Sequence, residues 1–392
     1  MDEKLTNRMD EFFKRIAEQV NEMIPVVWNT FCLFGELADD SSGGGVYFYF
    51  DEDIIRKKIS LSENSYYEAE LNEKTAENRT MILPKTARGK IKKFNYTATQ
   101  SFSPFGNYFT FSTDGVIIAN YTTQRTYYSE NFNEKNISLD NLNNWLDKWI
   151  KECTEEDLKE IEEFKNAKRK HCKFKEGDFF AFKIGRREWA FGRILLDVTK
   201  LRKDKNFEKN KNYGLAHLMG KPLIIKVYHK ISDNKNVDLK ELSECLALPS
   251  QAIMDNIFYY GEAIILGNIP LEDHEYDMLI SVSESISYID KDIAYLQYGL
   301  IYREIPLSDY QKLIKELKID AQTLRREGIG FVIDIDNLKE CIKAKSNSPC
   351  WEKHNKRKVL DLKNPVHIEL KRKIFKAFGL DADKTYKENL EA

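Results

Sequence analysis

KFKEGDFFAFKIGRREWAFGRILL, residues Lys173 to Leu196, holds two apolar runs, Phe179–Ile184 and Trp189–Leu196, separated by Gly185-Arg186-Arg187-Glu188. Aromatic and β-branched residues dominate both runs and the break carries glycine and charge, so the stretch predicts two antiparallel strands with a tight connection. Gly177-Asp178 marks the turn into the first strand. Gly192, inside the second, predicts a bulge or a close backbone approach, because a missing Cβ weakens a strand unless something occupies the space. No nucleophile–base pair, metal-ligand set or phosphate loop lies here; the chemistry of the stretch is packing and recognition.

Toward the N-terminus, Glu155 to Lys170 is a charged helical run with Leu158, Ile161 and Phe164 as its apolar positions. Ser138 is placed to cap a helix carrying Leu142, Trp145, Leu146, Trp149 and Ile150. Residues 151–172 read as a helical connector between a first domain, 1–150, and a second, 173–305. In the first domain Leu5, Met9, Phe12, Phe13, Ile16, Val20, Met23 and Ile24 recur at three- and four-residue steps, the pattern of an amphipathic helix, which Pro25 ends. Phe31–Leu37 and Val46–Phe50 predict strands around an acidic, serine- and glycine-rich turn. Residues 53–100 are polar and weakly periodic, and at most one helix is predicted there, near Tyr66–Glu77. Asn107–Ser112 and Val116–Thr122 predict a hairpin about Thr113-Asp114-Gly115.

Downstream, Lys200–Asn212 has loop composition, Pro222–His229 predicts a strand, and Asp238–Leu246 and Ser250–Tyr259 predict helices. Gly261–Leu266, Met278–Ser285 and Ala294–Glu304 are expected to complete a mostly antiparallel sheet. Leu313, Ile314, Leu317, Leu338, Ile342, Ile368, Ile374 and Phe375 mark residues 306–392 as a helical, basic tail. The predicted class is α+β: two domains with mostly antiparallel sheets packed by helices, plus the C-terminal tail.

A chain of 392 residues exceeds one typical core. Its 61 Lys and Arg against 63 Asp and Glu exert no global pull toward nucleic acid or membrane. The opening MDEKLTNRMDEFF lacks the apolar core of a signal peptide, and no run approaches the roughly 20 apolar residues of a membrane span. Cys32, Cys153, Cys172, Cys245, Cys341 and Cys350 show neither disulfide-framework nor CxxC spacing, so a reducing cytoplasm is the expected compartment.

Candidates for chemistry are sparse. Cys341, Cys350, His354 and His367 include one Cys-x3-His pair where a structural zinc site needs two tight ligand pairs, so buried or incidental cysteines are the preferred reading. His217, His229 and His274 are isolated. GxSxG, HExxH, GxxxxGK[ST] and GxGxxG before a helix are all missing, so no catalytic, cofactor or metal residue is expected and no enzyme. From Lys339 to Lys376, 12 bases face four acids, the footprint of a phosphate binder, but only Trp351, Phe375 and Phe378 interleave and a solvated helical face is preferred. Over residues 1–80 the bias is opposite: 17 acids against nine bases, a net of −8, suited to steering a basic protein partner.

The helix ending in NEMIPVVW (Asn21–Trp28), the acidic-Ser-Gly turn, VYFYF (Val46–Phe50) and the hairpin NYFTFSTDGVIIANY (Asn107–Tyr121) together resemble the YezG-type immunity proteins of bacterial polymorphic toxin systems. Lys173–Leu195, with its Lys-x3-Gly-Asp start and Phe-Gly-Arg second strand, is similar to the opening of the immunity protein 26 family. These resemblances imply a tandem, cytoplasmic, non-enzymatic protein that binds and neutralises cognate toxin domains, with no catalytic residues to carry over. The charge of the first domain suggests that Glu36, Asp39, Asp40, Asp51, Glu52 and Asp53 face a basic toxin surface, such as a nuclease domain. A nucleic-acid-binding regulator using the basic tail is the alternative; no membrane partner is expected.

Overall fold

The computed structural model describes residues 33–34, 38–39, 45–51, 54–62, 64–74, 87–90, 103–132, 138–169, 171–203, 212, 214–285, 291–326, 335–356 and 358–392, in two units, 1–170 and 171–392. The helix expected over Leu5–Ile24 lies outside the described residues. In the first unit β1 (Leu33–Phe34), β2 (Ala38–Asp39), β3 (Gly45–Asp51), β4 (Ile54–Ser62), β5 (Ser65–Lys74), β6 (Asn107–Ser112), β7 (Gly115–Asn120) and β8 (Arg125–Asn131) form one antiparallel sheet. From β3 to β8 the strands neighbour one another in chain order, and β1 and β2 both pair with β3.

The predicted hairpin at 107–120 is present, with Ser112 opposite Gly115 and Thr113-Asp114 as its turn. The helix expected near Tyr66–Glu77 is not: that segment is β5, paired along its length with β4. Its charges broke the apolar alternation for a reason the structure supplies. Lys57 and Glu68 form a buried ion pair at 3.1 Å, Tyr66 donates its hydroxyl to Glu68, and the Glu70 carboxylate accepts the Asn107 N–H at 3.0 Å. Charges that left the segment polar and weakly periodic are satisfied inside a sheet.

Helices α1 (Leu139–Glu152) and α2 (Glu155–Asn166) cover one face of this sheet, where Leu142, Leu146, Trp149 and Ile161 meet Ile59, Tyr66, Phe109, Phe111, Val116 and Ile118. Residues 155–166 thus contribute Ile161 to the core of the first unit. Thr154 caps α2 reciprocally: its hydroxyl accepts from the Asp157 N–H, and Asp157 accepts from the Thr154 N–H at 2.8 Å.

Lys58, on the other face, is buried, and that desolvation lowers its pKa to about 8. An amine whose folded pKa lies below its unfolded value penalises folding at neutral pH, and the penalty lifts as pH rises between the two values. Wild type compared with Lys58→Met isolates this group from cysteines and tyrosines. The stability difference is expected to change by about 1–2 kcal/mol between pH 7.5 and 10, after allowance for solvent screening, in the direction that favours wild type at high pH. Urea midpoints with parallel pH dependence in the two proteins would contradict it.

In the second unit β9 (Asp178–Lys183) and β10 (Trp189–Asp197) pair as the decisive stretch predicted. They sit inside a five-stranded antiparallel sheet with β11 (Pro222–Ser232), β12 (Gln251–Met254) and β13 (Ile264–Asn268), in the order β12-β11-β10-β9-β13. The helix expected over Ser250–Tyr259 is a correction: Gln251–Met254 is an edge strand, and only Asn256–Tyr259 turns helical. The remaining strands do not complete this sheet either. β14 (Ile280–Glu284), β15 (Ile293–Tyr298) and β16 (Ile301–Pro306) make a separate three-stranded one, in which Ala294–Glu304 folds back on itself as a hairpin turning at Gly299-Leu300.

Gly192 does both things its position suggested. The β10–β11 register shifts between Ala190 and Gly192, and a Cβ there would stand 2.7 Å from the Lys226 carbonyl oxygen and closer still to the Phe180 ring. Alanine ordinarily suits a strand better than glycine, but here neither backbone nor buried ring can give way. Gly192→Ala is expected to destabilise the second unit by about 1–3 kcal/mol, read as a lowered thermal midpoint; an unchanged midpoint would show the space to be adaptable.

The C-terminal region is helical, as expected: α3 (Leu307–Leu317), α4 (Ile335–Lys343), α5 (Ser348–Lys356), α6 (Ile368–Ala377) and α7 (Tyr386–Glu391). It is not a tail. Tyr310, Ile374, Phe375, Phe378 and Tyr386 share a core with Leu195, Ile224, Ile280 and Leu296, while Leu338, Cys341, Ile342 and Cys350 share another with Phe180, Ile225 and Val227.

Candidate functional site

Strict alternation along β5 to β7 puts one set of side chains against α1 and α2 and the other on the opposite face of the first sheet. On that second face the register aligns Tyr67, Thr110, Ile117 and Ser129 across four strands, with Tyr108 and Ala119 one row away. Tyr121, just past β7, completes a cluster. Its ring lies 4.3 Å from that of Tyr108, Tyr108 lies 6.4 Å from Tyr67, and the Tyr67 and Tyr121 hydroxyls hydrogen-bond at 2.9 Å. Burial, then the hydroxyl of Tyr121, push the Tyr67 phenol well above its ordinary value, so Tyr67 stays neutral and hydrogen-bonded. Tyr121 is 37% and Ile117 38% exposed. Rigid amphipathic rings held at a partly open surface, with a branched aliphatic beside them, are the composition of a protein-binding patch.

The cluster was not legible in advance because Tyr67 fell in the segment read as a helix. Strand alternation in SYYEAELNEK, set beside the predicted hairpin, was the available signal. Of the residues expected to face a toxin, Glu36, Asp40, Glu52 and Asp53 lie outside the described residues. Asp39 pairs with Gly45 and Asp51 with Ile54, so the backbone sets these two at opposite ends of β3. Six residues of strand separate the ends, roughly 20 Å, so Asp39 and Asp51 do not converge.

In the second unit the family-like motif residues turn inward. Gly177 adopts φ +83° and donates its N–H to the Ile194 carbonyl; Asp178 accepts from the Lys175 N–H at 2.8 Å and from the Asn268 amide at 2.8 Å. Arg193, of the Phe-Gly-Arg triplet, is 0% exposed. Its guanidinium lies 4.4 Å over the Phe179 ring, bonds Glu275 and donates to the Ile269 carbonyl at 2.7 Å. Lys226 also reaches Glu275, at 3.1 Å. Burial alone would raise the Glu275 carboxyl, but the Glu272 N–H, Lys226 and Arg193 outweigh it and hold the group below its ordinary value. These motif residues build the fold and present nothing to a partner.

Cys341 and Cys350 are buried in a hydrophobic core, where desolvation raises the Cys350 thiol to about 12, the opposite of what a reactive or ligating cysteine needs. Among the described residues no three His, Cys, Asp or Glu gather as a metal would require, and no helix is long and apolar enough to cross a membrane. His229 is bonded at both ring nitrogens, to the Ile342 carbonyl and Asn347. Several bases of the C-terminal region are likewise engaged within the fold. Lys363 donates to the Ser250 carbonyl at 2.9 Å and hydroxyl at 2.8 Å, Arg372 grips Asp383 and Glu369, and Lys371 lies over the Phe375 ring. The continuous basic stripe that a nucleic-acid site would use is not formed by these residues.

Comparison with known proteins places two regions side by side. Residues 9–165 match the family model of the YezG-like immunity proteins, and residues 175–292 match that of immunity protein 26. The chain is also similar to the immunity protein YezG of Bacillus spizizenii, at 50% identity over 46 residues, 12% of this chain and 27% of that protein's length. No solved structure matches. Both resemblances drawn from the sequence are borne out: two immunity-protein regions stand in tandem, one in each unit.

Proposed function

We propose that this chain, which joins a YezG-like region to an immunity protein 26-like region, protects a bacterial cell by binding cognate polymorphic-toxin domains in the cytoplasm and blocking them by contact, without catalysis. The observation that carries this function is the occurrence of two separate immunity regions in one chain. The acidic first 80 residues, at a net −8, suit a basic toxin such as a nuclease domain: surface charge speeds encounter, and a cluster such as Tyr67, Tyr108 and Tyr121 supplies the desolvated contacts that slow release. Glu36, Asp39, Asp40, Asp51, Glu52 and Asp53 are the charges assigned to steering; the separation of Asp39 from Asp51 fits a diffuse field better than one binding point.

The test is co-expression of the full chain with the C-terminal domain of a large secreted protein encoded beside it. Cells are expected to survive only when the chain is present, and arrest in its presence would refute the function. With purified partners, Ile117→Asp with Tyr121→Ala is expected to raise the dissociation rate at least tenfold. The triple variant Asp39→Lys/Asp40→Lys/Asp51→Lys is expected to slow association at low salt and to leave the dissociation rate nearly unchanged.

A further inference from the structure

The near-neutral whole chain conceals a division. Unit 1–170 carries 23 bases against 29 acids, a net of −6, and unit 171–392 carries 38 bases against 34 acids, a net of +4. In the second unit one concentration of positive charge is the tip of the β9–β10 hairpin, residues 183–189, which read KIGRREW. Lys183 donates to the Arg186 carbonyl at 3.0 Å and stands 4.8 Å over the Trp189 ring. Lys235 approaches the same ring at 5.8 Å. Lys339 and Lys343, one turn apart on α4, both bind Glu188, the single acid of the tip. Three segments therefore meet at this tip: Lys339 and Lys343 hold Glu188, Lys183 and Lys235 lie over the partly exposed Trp189, and Arg186 and Arg187 form the turn between them.

We propose that this tip is the toxin-docking surface of the second unit and that its partner is an acidic protein domain, so that the two units neutralise toxins of opposite charge. The inference rests on the toxin-binding function proposed above and names the partner of its second half. Even with Glu188 paired to Lys339 and Lys343 and with Asp233 and Glu340 on the same segments, six cations face three acids, and the net positive charge suits an anionic surface. Tryptophan and arginine at a partly desolvated centre are the residues that dominate protein–protein binding energy. A nucleic acid fits less well: the Trp189 ring already has two ammonium groups within 6 Å of its centroid, engaging it as a cation–π acceptor and not offering it as a stacking platform. A tip built around one carboxylate also lacks the extended track that a phosphate backbone follows.

The experiment uses the full chain and the variant Arg187→Glu/Lys235→Glu/Lys343→Glu, three side chains at the exposed rim, with Arg187→Lys as the conservative control and thermal midpoints to verify folding. Each is assayed against every toxin domain that wild type neutralises in co-expression, and against a 30-base-pair DNA duplex at 50 and 200 mM salt. For at least one toxin domain, of acidic isoelectric point, the triple variant should associate tenfold or more slowly at 50 mM salt and lose protection, while Arg187→Lys behaves as wild type. A chain that neutralises toxins but does so equally well with the triple variant overturns this inference and leaves the general function standing. A chain that neutralises none removes both. Salt-sensitive duplex binding that the triple variant abolishes would make nucleic acid the ligand of the tip and overturn the inference by another route.

Discussion

Glu275→Gln is expected to destabilise the second unit by about 3–5 kcal/mol at pH 7, enough to consume much of the stability of an ordinary domain. The wild-type carboxylate is the shared counter-ion of two buried cations, Arg193 and Lys226. Arg193 cannot swing out to water, because its side chain is wholly enclosed, lies against Phe179 and donates to the Ile269 and Pro270 carbonyls. The neutral amide keeps the shape of the side chain but removes the charge and one of two acceptor oxygens, so the loss combines the missing counter-ion with one broken hydrogen bond, either to the two cations or to the Glu272 N–H. The pH dependence gives a second readout. Because the folded pKa of Glu275 lies below its unfolded value, its contribution is complete above the ordinary carboxylate range and is lost as pH falls through the folded pKa. The gap between wild type and Glu275→Gln should therefore narrow on acidification, and urea denaturation at pH 7 and pH 3.5 measures it. A gap below about 1 kcal/mol at pH 7 would mean that the cations are served by water and carbonyls alone.

Replacing Arg193, Lys226 and Glu275 together by apolar residues of similar volume is, by the same physics, expected to cost far less than the single change, since the desolvation penalty of all three charges disappears with them. The comparison separates what the cluster contributes to stability from what it contributes to register between β10, β11 and the turn at 273–275.

What could be seen in the sequence follows from how local the cause is. β9, β10 and the 107–120 hairpin were legible because apolar runs and their turns sit next to each other in the chain, and Gly192 announced itself as a missing side chain. β4 and β5 were not, because the partners that make Lys57 and Glu68 tolerable in a sheet meet only across strands. The burial of Arg193 was hidden for the same reason, since its counter-ion lies 82 residues away. The division of β9–β16 into two sheets depends on which strand edges meet, and nothing in the spacing of apolar residues encodes that. The tyrosine cluster joins residues 67, 108 and 121, and it becomes visible only once β5 is paired with β6. The acidic residues of the first domain were found by composition, which locates charge but not geometry.

Deleting residues 307–392 is expected to unfold the second unit altogether, although the immunity protein 26 match ends at residue 292. The removed segment supplies Tyr310, Leu324, Leu362, Ile374, Phe375, Phe378, Leu380 and Tyr386 to one core and Leu338, Cys341, Ile342 and Cys350 to the other. At about 1.5–3 kcal/mol for each large apolar side chain buried, the loss exceeds the roughly 5–15 kcal/mol that holds a typical domain together. Polar ties go with it: Lys363 leaves the Ser250 carbonyl and hydroxyl, and the Tyr386 hydroxyl no longer accepts from the Leu300 N–H. Residues 171–306 alone should bind a hydrophobic dye and show collapsed amide dispersion by NMR, and residues 307–392 alone should fail to fold for want of the sheets they cover. DNA binding by that isolated segment would consequently say little about the native protein, whose bases Lys363 and Arg372 are held by Ser250, Glu369 and Asp383. A cooperatively unfolding 171–306 fragment would instead restore the C-terminal region as a separable appendage, and with it the case for an independent activity there.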